Sequence, residues 1–402
     1  MEEKSKFPYI RVRTAYYKKI RKPLLSGDFI ELLSPWSLDV IKQDYGRKWT
    51  EIFDGIPKYD GFTNMPEHVN YARSYHGFYN QYEPLAHDPE AGSFDLIESF
   101  LNHLFKEQLN LALDYLTILF QKPTEPLPIL CLVSKERGTG KSTFLNLLKD
   151  IFGLNMTYNN NDDFRSNFND SWVNKLIIAV DEVLLDRRED SERIKNLSTA
   201  KSYKIEAKGV DRTEVEFFGK FILCSNNEED FITIDPLETR YWIRKVEPLE
   251  TSDPMMLDKM KKEVPAFIYF LKNRKIASEK KSRMWFTPSE LETDALKKIK
   301  HRFRNKIETE LLDIISELID TNELDKFCFT NKDAIELLKS NNLKVTRTEV
   351  KRIIDDWKLE MVDNTFNYVT YKYDMTGIVY ETHLKGRYYT IKRSDIDKIL
   401  MT

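Results

Sequence analysis

The chain has few cysteines: Cys131, Cys224 and Cys328 in 402 residues. Their number is odd and no two share a CxxC spacing, which excludes a disulfide framework and a cysteine zinc site. Cys131 and Cys224 sit inside apolar runs and are expected to be small core residues. No run approaches the roughly 20 apolar residues that a membrane span needs, so no membrane partner is expected. The charged residues 1–10 precede no apolar segment, which argues against a secretory signal. There is also no internal repeat and no low-complexity tract. Charge of one sign is lacking too, with 62 Lys and Arg against 65 Asp and Glu and a formal net charge of −3. A nucleic-acid partner therefore cannot be read from bulk charge, and phosphate contacts must come from local basic clusters. Such a chain suits a reducing, cytoplasmic compartment.

What is present is apolar and aromatic substance, 41% and 12% of the residues, enough for two or three domains with their own cores. Residues 1–93 read as an irregular region rich in tyrosine and proline. There Arg11, Arg13, Lys18, Lys19, Arg21 and Lys22 surround Tyr16 and Tyr17. That mixture suits a nucleic-acid backbone, or a solvated face around a small β-rich layer, and the second reading is favoured. Residues 94–128 show helical periodicity and predict a pair of amphipathic helices, either a collar for oligomerisation or plain packing. Residues 129–284 alternate short apolar strands with helices, an α/β pattern. A charged linker with some helix is expected over 285–304 and a small α+β domain over 305–402.

The run 129–133 reads as a buried parallel strand. It leads into Ser134-Lys135-Glu136-Arg137-Gly138-Thr139-Gly140-Lys141-Ser142-Thr143, then a helix that Gly153 stops. Strand, glycine loop, GKST and helix form the context of a P-loop. Gly138 and Gly140, with Thr139 between them, let backbone N–H groups turn toward the phosphates of ATP. The helix N-terminus adds the positive end of its dipole. Lys141 can reach the β- and γ-phosphates, Ser142 can hold Mg2+, and Thr143 follows on the helix. Lys135 stands where the usual pattern has its first glycine.

Farther on, the apolar run 176–180 ends in Asp181-Glu182, the Walker B arrangement. Asp181 would hold the magnesium shell through water, and Glu182 would polarise the attacking water as general base. A third strand, 221–224, ends in Ser225-Asn226-Asn227, where Asn226 could orient that water. Arg240 is the better candidate, and Arg244 the reserve, for an arginine supplied to a neighbouring subunit. Between these motifs, 204–207 and 213–218 predict a hairpin whose tip carries Lys208 and Arg212. In a ring those cations would grip backbone phosphates in the channel without reading sequence.

The order of these motifs within 135–244 resembles the superfamily 3 helicases of viruses, phages and plasmids, an AAA+ group. It is more closely similar to the primase-helicase branch of phages and mobile elements. The phrases 134–143, 204–212 and 238–246 carry the likeness, with Ala112-Leu113-Asp114-Tyr115-Leu116 and Gln121-Lys122-Pro123 before them. The resemblance covers the middle third well and the ends loosely. It implies an AAA+-like P-loop core, a homo-hexameric ring, ATP and Mg2+ at subunit interfaces, and translocation on single-stranded DNA. By likeness Lys141, Ser142, Asp181, Glu182 and Asn226 fall in one subunit's site and Arg240 in its neighbour's. No acidic primase motif precedes the motor, so the likeness is to a helicase portion, with a separate primase or polymerase as a further partner. The compartment would be the host cytosol.

In the last part, an amphipathic helix, a strand at 327–329, helices capped by Thr330 and Thr346, and strands at 366–373 and 387–391 follow in winged-helix order. Arg347, Lys351 and Arg352 would then face DNA. The expected function is an ATP-dependent DNA helicase for phage or mobile-element replication. The alternatives are an origin-binding or loading ATPase, or a ring ATPase recruited to another role such as defence.

Overall fold

The computed structural model describes residues 8–400 apart from 24–28, 166–168, 186–187, 206–212, 229, 235–237, 252 and 375–377. The first part is more regular than its composition suggests. It holds β1 (Tyr9–Val12), β2 (Ala15–Pro23), β3 (Phe29–Trp36), α1 (Leu38–Tyr45), α2 (Trp49–Asp54), β4 (Lys58–Tyr59), β5 (Gly61–Thr63), β6 (Ser74–Tyr75) and β7 (Phe78–Asn80). One sheet runs β3-β2-β1-β4 and the other β5-β7-β6. In β1 the two-residue period sends Tyr9 toward Ile41, Ile52 and Ile56 from the helical side, and Ile10 and Val12 toward Tyr79. The strands are short and half-covered by tyrosines and lysines, so no clean apolar alternation marks them in the sequence. His68 ties this layer to the rest, with Nδ1 2.8 Å from the Phe120 carbonyl oxygen and Nε2 2.6 Å from the Tyr82 hydroxyl.

Next come α3 (Asp95–Phe105) and α4 (Leu109–Gln121), then β8 (Ile129–Val133), α5 (Lys141–Phe152), β9 (Met156–Tyr158), β10 (Ile177–Val180) and α6 (Arg188–Leu197). They are followed by β11 (Ser202–Ile205), β12 (Thr213–Glu216), β13 (Lys220–Ser225), β14 (Tyr241–Lys245) and α7 (Met256–Asn273). The central sheet has the order β14-β8-β13-β10-β9 and every pairing in it is parallel. Parallel strands need crossovers, which cover both faces, so β8, β10 and β13 are buried throughout. Leu130, Leu132, Ile177, Ala179, Ile222 and Trp242 face α3, α4, α5 and α7. Ile129, Cys131, Val133, Ile178, Val180 and Leu223 face Phe164, Trp172, Ile194 and Leu197. Each fully buried side chain of this size contributes about 1.5–3 kcal/mol. The helix pair at 94–128 thus forms one covering layer of this sheet. Cys131 and Cys224 are both buried in it.

The charged segment 285–304 is irregular up to Thr293 and helical from there on. A single helix, α8 (Asp294–Thr321), fills its second half and continues into the last part of the chain. Its start is capped by Thr293, whose hydroxyl accepts from the Leu296 N–H and donates to the Ile243 carbonyl at 2.5 Å. Leu296 and Ile299 pack in the core of the central sheet, whereas Ile307, Leu311 and Ile315 pack in a separate C-terminal core. Its many lysines and arginines made the connection look solvated.

The C-terminal core is completed by β15 (Phe327–Phe329), α9 (Asn331–Ser340), α10 (Arg347–Asp356), β16 (Phe366–Tyr373), β17 (Val379–Gly386), β18 (Tyr389–Ile391) and α11 (Arg393–Leu400). Capping boxes Thr330/Asp333 and Thr346/Glu349 start α9 and α10. β15 pairs with β18, and β16 with β17, whose polar alternation hid it from sequence reading. No helix among the described residues is long and apolar enough to cross a membrane.

One buried charge makes stability depend on pH. Lys220 begins β13 at 3% exposure and donates to the carbonyl oxygens of Pro123 and Phe218. Burial pulls its pKa down to about 7, against the opposing pull of Glu125. The unfolded chain keeps this proton to the ordinary lysine value, so above pH 7 the unfolded state binds more protons and stability rises with pH. The slope is at most about 1.4 kcal/mol per pH unit. Thermal melting of the native protein and Lys220→Met across pH 7–10 checks this. The native curve should rise relative to the variant's; parallel curves would show that Lys220 stays charged.

Candidate functional site

Because the core strands all point the same way, the residues following β8, β10 and β13 emerge at one edge of the sheet. Open α/β sheets hold ligands outside that carboxyl edge. The loop after β8 needs its glycines for two separate reasons. Gly138 and Gly140 have φ of 69° and 92°, a region costly for other residues. A Cβ on Gly140 would also lie 2.8 Å from the Phe100 ring of α3. That helix roofs the loop further through His103, whose Nε2 is 3.2 Å from the Thr139 carbonyl oxygen. From the other side the Leu249 N–H donates to the Gly138 carbonyl at 3.0 Å.

The loop runs into α5 through Gly140, which offers no capping side chain, so the first N–H groups of the helix are left for an outside acceptor. Lys141 opens the helix at 6% exposure, and its ammonium donates to Thr139 Oγ1 at 3.1 Å. Burial lowers its pKa, while Cys224, Asp181 and Glu228 push it back up. Ser142 is exposed on the first turn beside it, and Thr143 is half-buried.

Lys135 is not among the residues with positive φ, so the loop start does not call for glycine. It is held instead by Glu228, whose Oε1 accepts the Lys135 N–H at 3.0 Å and lies 3.4 Å from the Lys245 ammonium. Sequence reading missed Glu228. Its only signal is its place two residues after Asn226, in a run of acids and amides that looks like an ordinary turn.

After β10, Asp181 and Glu182 are exposed. Glu182 has φ of 59°, an uncommon conformation for a glutamate and one found where a site holds its backbone under strain. Asn226 Nδ2, from the end of β13, donates to Glu182 Oε1 at 3.3 Å. The structure thus brings Gly138, Thr139, Gly140, Lys141, Ser142, Asp181, Glu182 and Asn226 to one edge. The amide-lined loop and buried lysine suit a polyphosphate. The Ser142 hydroxyl and the Asp181 carboxylate at this edge are hard oxygen donors of the kind that suits a divalent cation such as Mg2+.

The remaining sequence candidates lie elsewhere. Arg240 precedes β14 and so stands at the opposite, amino edge of the sheet, its carbonyl accepting the Ile129 N–H at 2.8 Å. Its guanidinium is 3.2 Å from Glu238 Oε2, which also pairs with Lys195 at 3.2 Å. Arg244 is buried, its guanidinium donating to Glu107 Oε1 at 2.5 Å and to the Gln108 side-chain oxygen at 3.0 Å within its own chain. Lys208 and Arg212 lie outside the described residues, although β11 and β12 pair antiparallel from Ser202↔Glu216 to Ile205↔Thr213 on either side of them. Arg347, Lys351 and Arg352 are exposed on α10.

A family model described as a family of unknown function (DUF5906) matches residues 132–240, the span from β8 to Arg240. A DNA primase-polymerase of Nitratiruptor phage NrS-1 is 29% identical over 140 residues, which are 33% of this chain and 19% of that protein. The matched part is therefore about a fifth of that relative. Two apo structures of the NrS-1 C-terminal region superpose with TM-scores of 0.57 and 0.56 at 17% identity. They cover 96% and 94% of this chain, and 95% and 94% of theirs. The chain shares the mixed α/β fold of that region along nearly its whole length.

Gly140→Ala combines an unfavourable φ with a clash against Phe100. It should destabilise the protein by about 2–4 kcal/mol. Gly138→Ala meets only the backbone penalty, with nothing within 4 Å of the added atom, and should cost about 1 kcal/mol. Chemical denaturation of the two variants tests the difference, and equal losses would mean that α3 does not press on the loop.

Proposed function

We propose that this chain is an ATP-hydrolysing motor that translocates on single-stranded DNA as a homo-hexameric ring, the helicase portion of a superfamily 3, AAA+ replication protein of a phage or mobile element. The observation that carries the reading is the gathering of Lys141, Ser142, Asp181, Glu182 and Asn226 at one sheet edge. Counted along the chain, the core strands lie in the order 5-1-4-3-2, which supports an AAA+-like core. Similarity to a phage DNA primase-polymerase supports a role in phage DNA replication in the host cytoplasm, with a primase or polymerase as partner.

In this reading the loop N–H groups and Lys141 hold the phosphates, with Ser142 and Asp181 as the residues that would hold Mg2+. The cation would supply neutralisation of phosphate charge. Glu182 takes the proton of the attacking water, and Asn226 holds both the carboxylate and that water in line. Arg240 meets the transition-state charge in the neighbouring subunit. Its place on the edge opposite its own chain's loop favours supply in trans, because a head-to-tail ring sets unlike edges against each other. Lys208 and Arg212 would grip the strand from the hairpin tip. The helix, strand, helix, helix and hairpin order of 294–391 supports a winged-helix-like domain presenting Arg347, Lys351 and Arg352 to DNA.

The first test is the rate of ATP hydrolysis with and without single-stranded DNA. DNA should stimulate the native protein, and Lys141→Ala should lower the rate about 100-fold or more. Hydrolysis indifferent to DNA would favour an origin-binding or loading ATPase, or a ring recruited to another role. Arg240→Ala should abolish hydrolysis with ATP affinity nearly intact. Mixed with Glu182→Gln protein, it should regain some activity but not all, because only some interfaces combine both intact residues. Normal hydrolysis by Arg240→Ala would remove it as the arginine acting in trans.

A further inference from the structure

The hairpin formed by β2 and β3 outruns its own sheet. β1 pairs only with Ala15–Lys18 of β2, whereas β2 and β3 stay paired from Tyr16↔Trp36 out to Pro23↔Phe29. Beyond Lys18 the sheet is therefore a ribbon of two strands, an arrangement with little stability of its own in water. Its composition differs from that of the rest of the chain. β2 and β3 carry Lys18, Lys19, Arg21 and Lys22 against one carboxylate, Glu31, in a protein whose net charge is −3. Side chains alternate across the ribbon, so Lys18 and Lys22 face one side and Lys19 and Arg21 the other.

Aromatic rings accompany the cations. The Arg21 guanidinium lies 4.8 Å over the Phe29 ring, and Phe29 is 55% exposed. At the base the Lys18 ammonium lies 4.5 Å over Trp36. Leu32, on the same arm, is exposed as well. A cation seated on one face of an exposed ring leaves the other face open to a flat, electron-rich group, and neighbouring cations suit a polyanionic backbone. These are the two elements of sequence-tolerant single-strand binding: stacked bases and phosphates that are neutralised but not read.

We propose that the β2–β3 arm is a binding site for single-stranded nucleic acid, with Phe29 and Arg21 stacking a base and Lys18, Lys19 and Lys22 meeting phosphates. The site is separate from the hairpin carrying Lys208 and Arg212, and it does not depend on ATP hydrolysis. The test is fluorescence anisotropy of the full chain with a labelled strand of roughly 20 thymidines, without nucleotide, between about 50 and 200 mM salt. Arg21→Gln with Lys22→Gln should weaken binding about tenfold at the low end. It should also flatten the log–log salt slope by about 0.7, for the one phosphate that Lys22 no longer neutralises. Phe29→Ala should weaken binding about fivefold at every salt concentration and leave the slope alone. Solution mass and melting temperature are measured on the same samples. Unchanged affinity in all variants overturns the proposal, as does a changed oligomeric mass, which would make the arm a contact between subunits. Strand binding is read without nucleotide and the ATP hydrolysis rate of the same arm variants is read separately, so a failed motor reading and a failed arm are distinguishable.

Discussion

Burial of β8 on both faces is the constraint on which the rest of the structure depends. An apolar strand with no polar face must be covered on both sides, and in this parallel sheet the crossover helices supply that cover. Those helices are α3, α4, α5 and α7 on one side, with α6 and the start of α8 on the other. Once they are in place, three neighbouring strands must end together, and their polar successors must share an edge. The site's convergence is thus a by-product of burying Ile129–Val133 and its neighbours.

The site itself is held from outside its own strands. Phe100 and His103 come from a helix that precedes the sheet, and Leu249 from the chain that follows it. Glu228 fastens the start of the glycine loop to the connection after β13. Together these neighbours leave the loop little room to relax. The left-handed backbone at Glu182 is local strain held by the hydrogen bonds around it, including that of the Val183 N–H to the Cys224 carbonyl at 2.8 Å.

Much of this was legible beforehand, and the reason is periodicity. The runs at 129–133, 177–180 and 221–224 are apolar on both faces, and each ends in an abrupt polar change that marks the sheet edge. Thr330 and Thr346 could be read because capping boxes are local in sequence. Glu228 could not, because its task is set by a residue 93 positions away. For the N-terminal part a small β-rich layer could be read but not its individual strands, because tyrosine rings cover surface without an apolar label. The pairing of Arg244 with Glu107 and Gln108 was equally out of reach, because those partners lie 137 and 136 positions away.

The unbroken α8 has a mechanical consequence. Its 28 residues span about 42 Å. Near its root Lys300 donates to the Glu238 carbonyl, two residues from Arg240, and Arg302 pairs with Asp230, four from Asn226. Its far half is part of the C-terminal core. A rod gripped near one end and embedded at the other works as a lever: a tilt of about 10° at Arg302 carries the tip, about 30 Å away, through roughly 5 Å, about one helical turn.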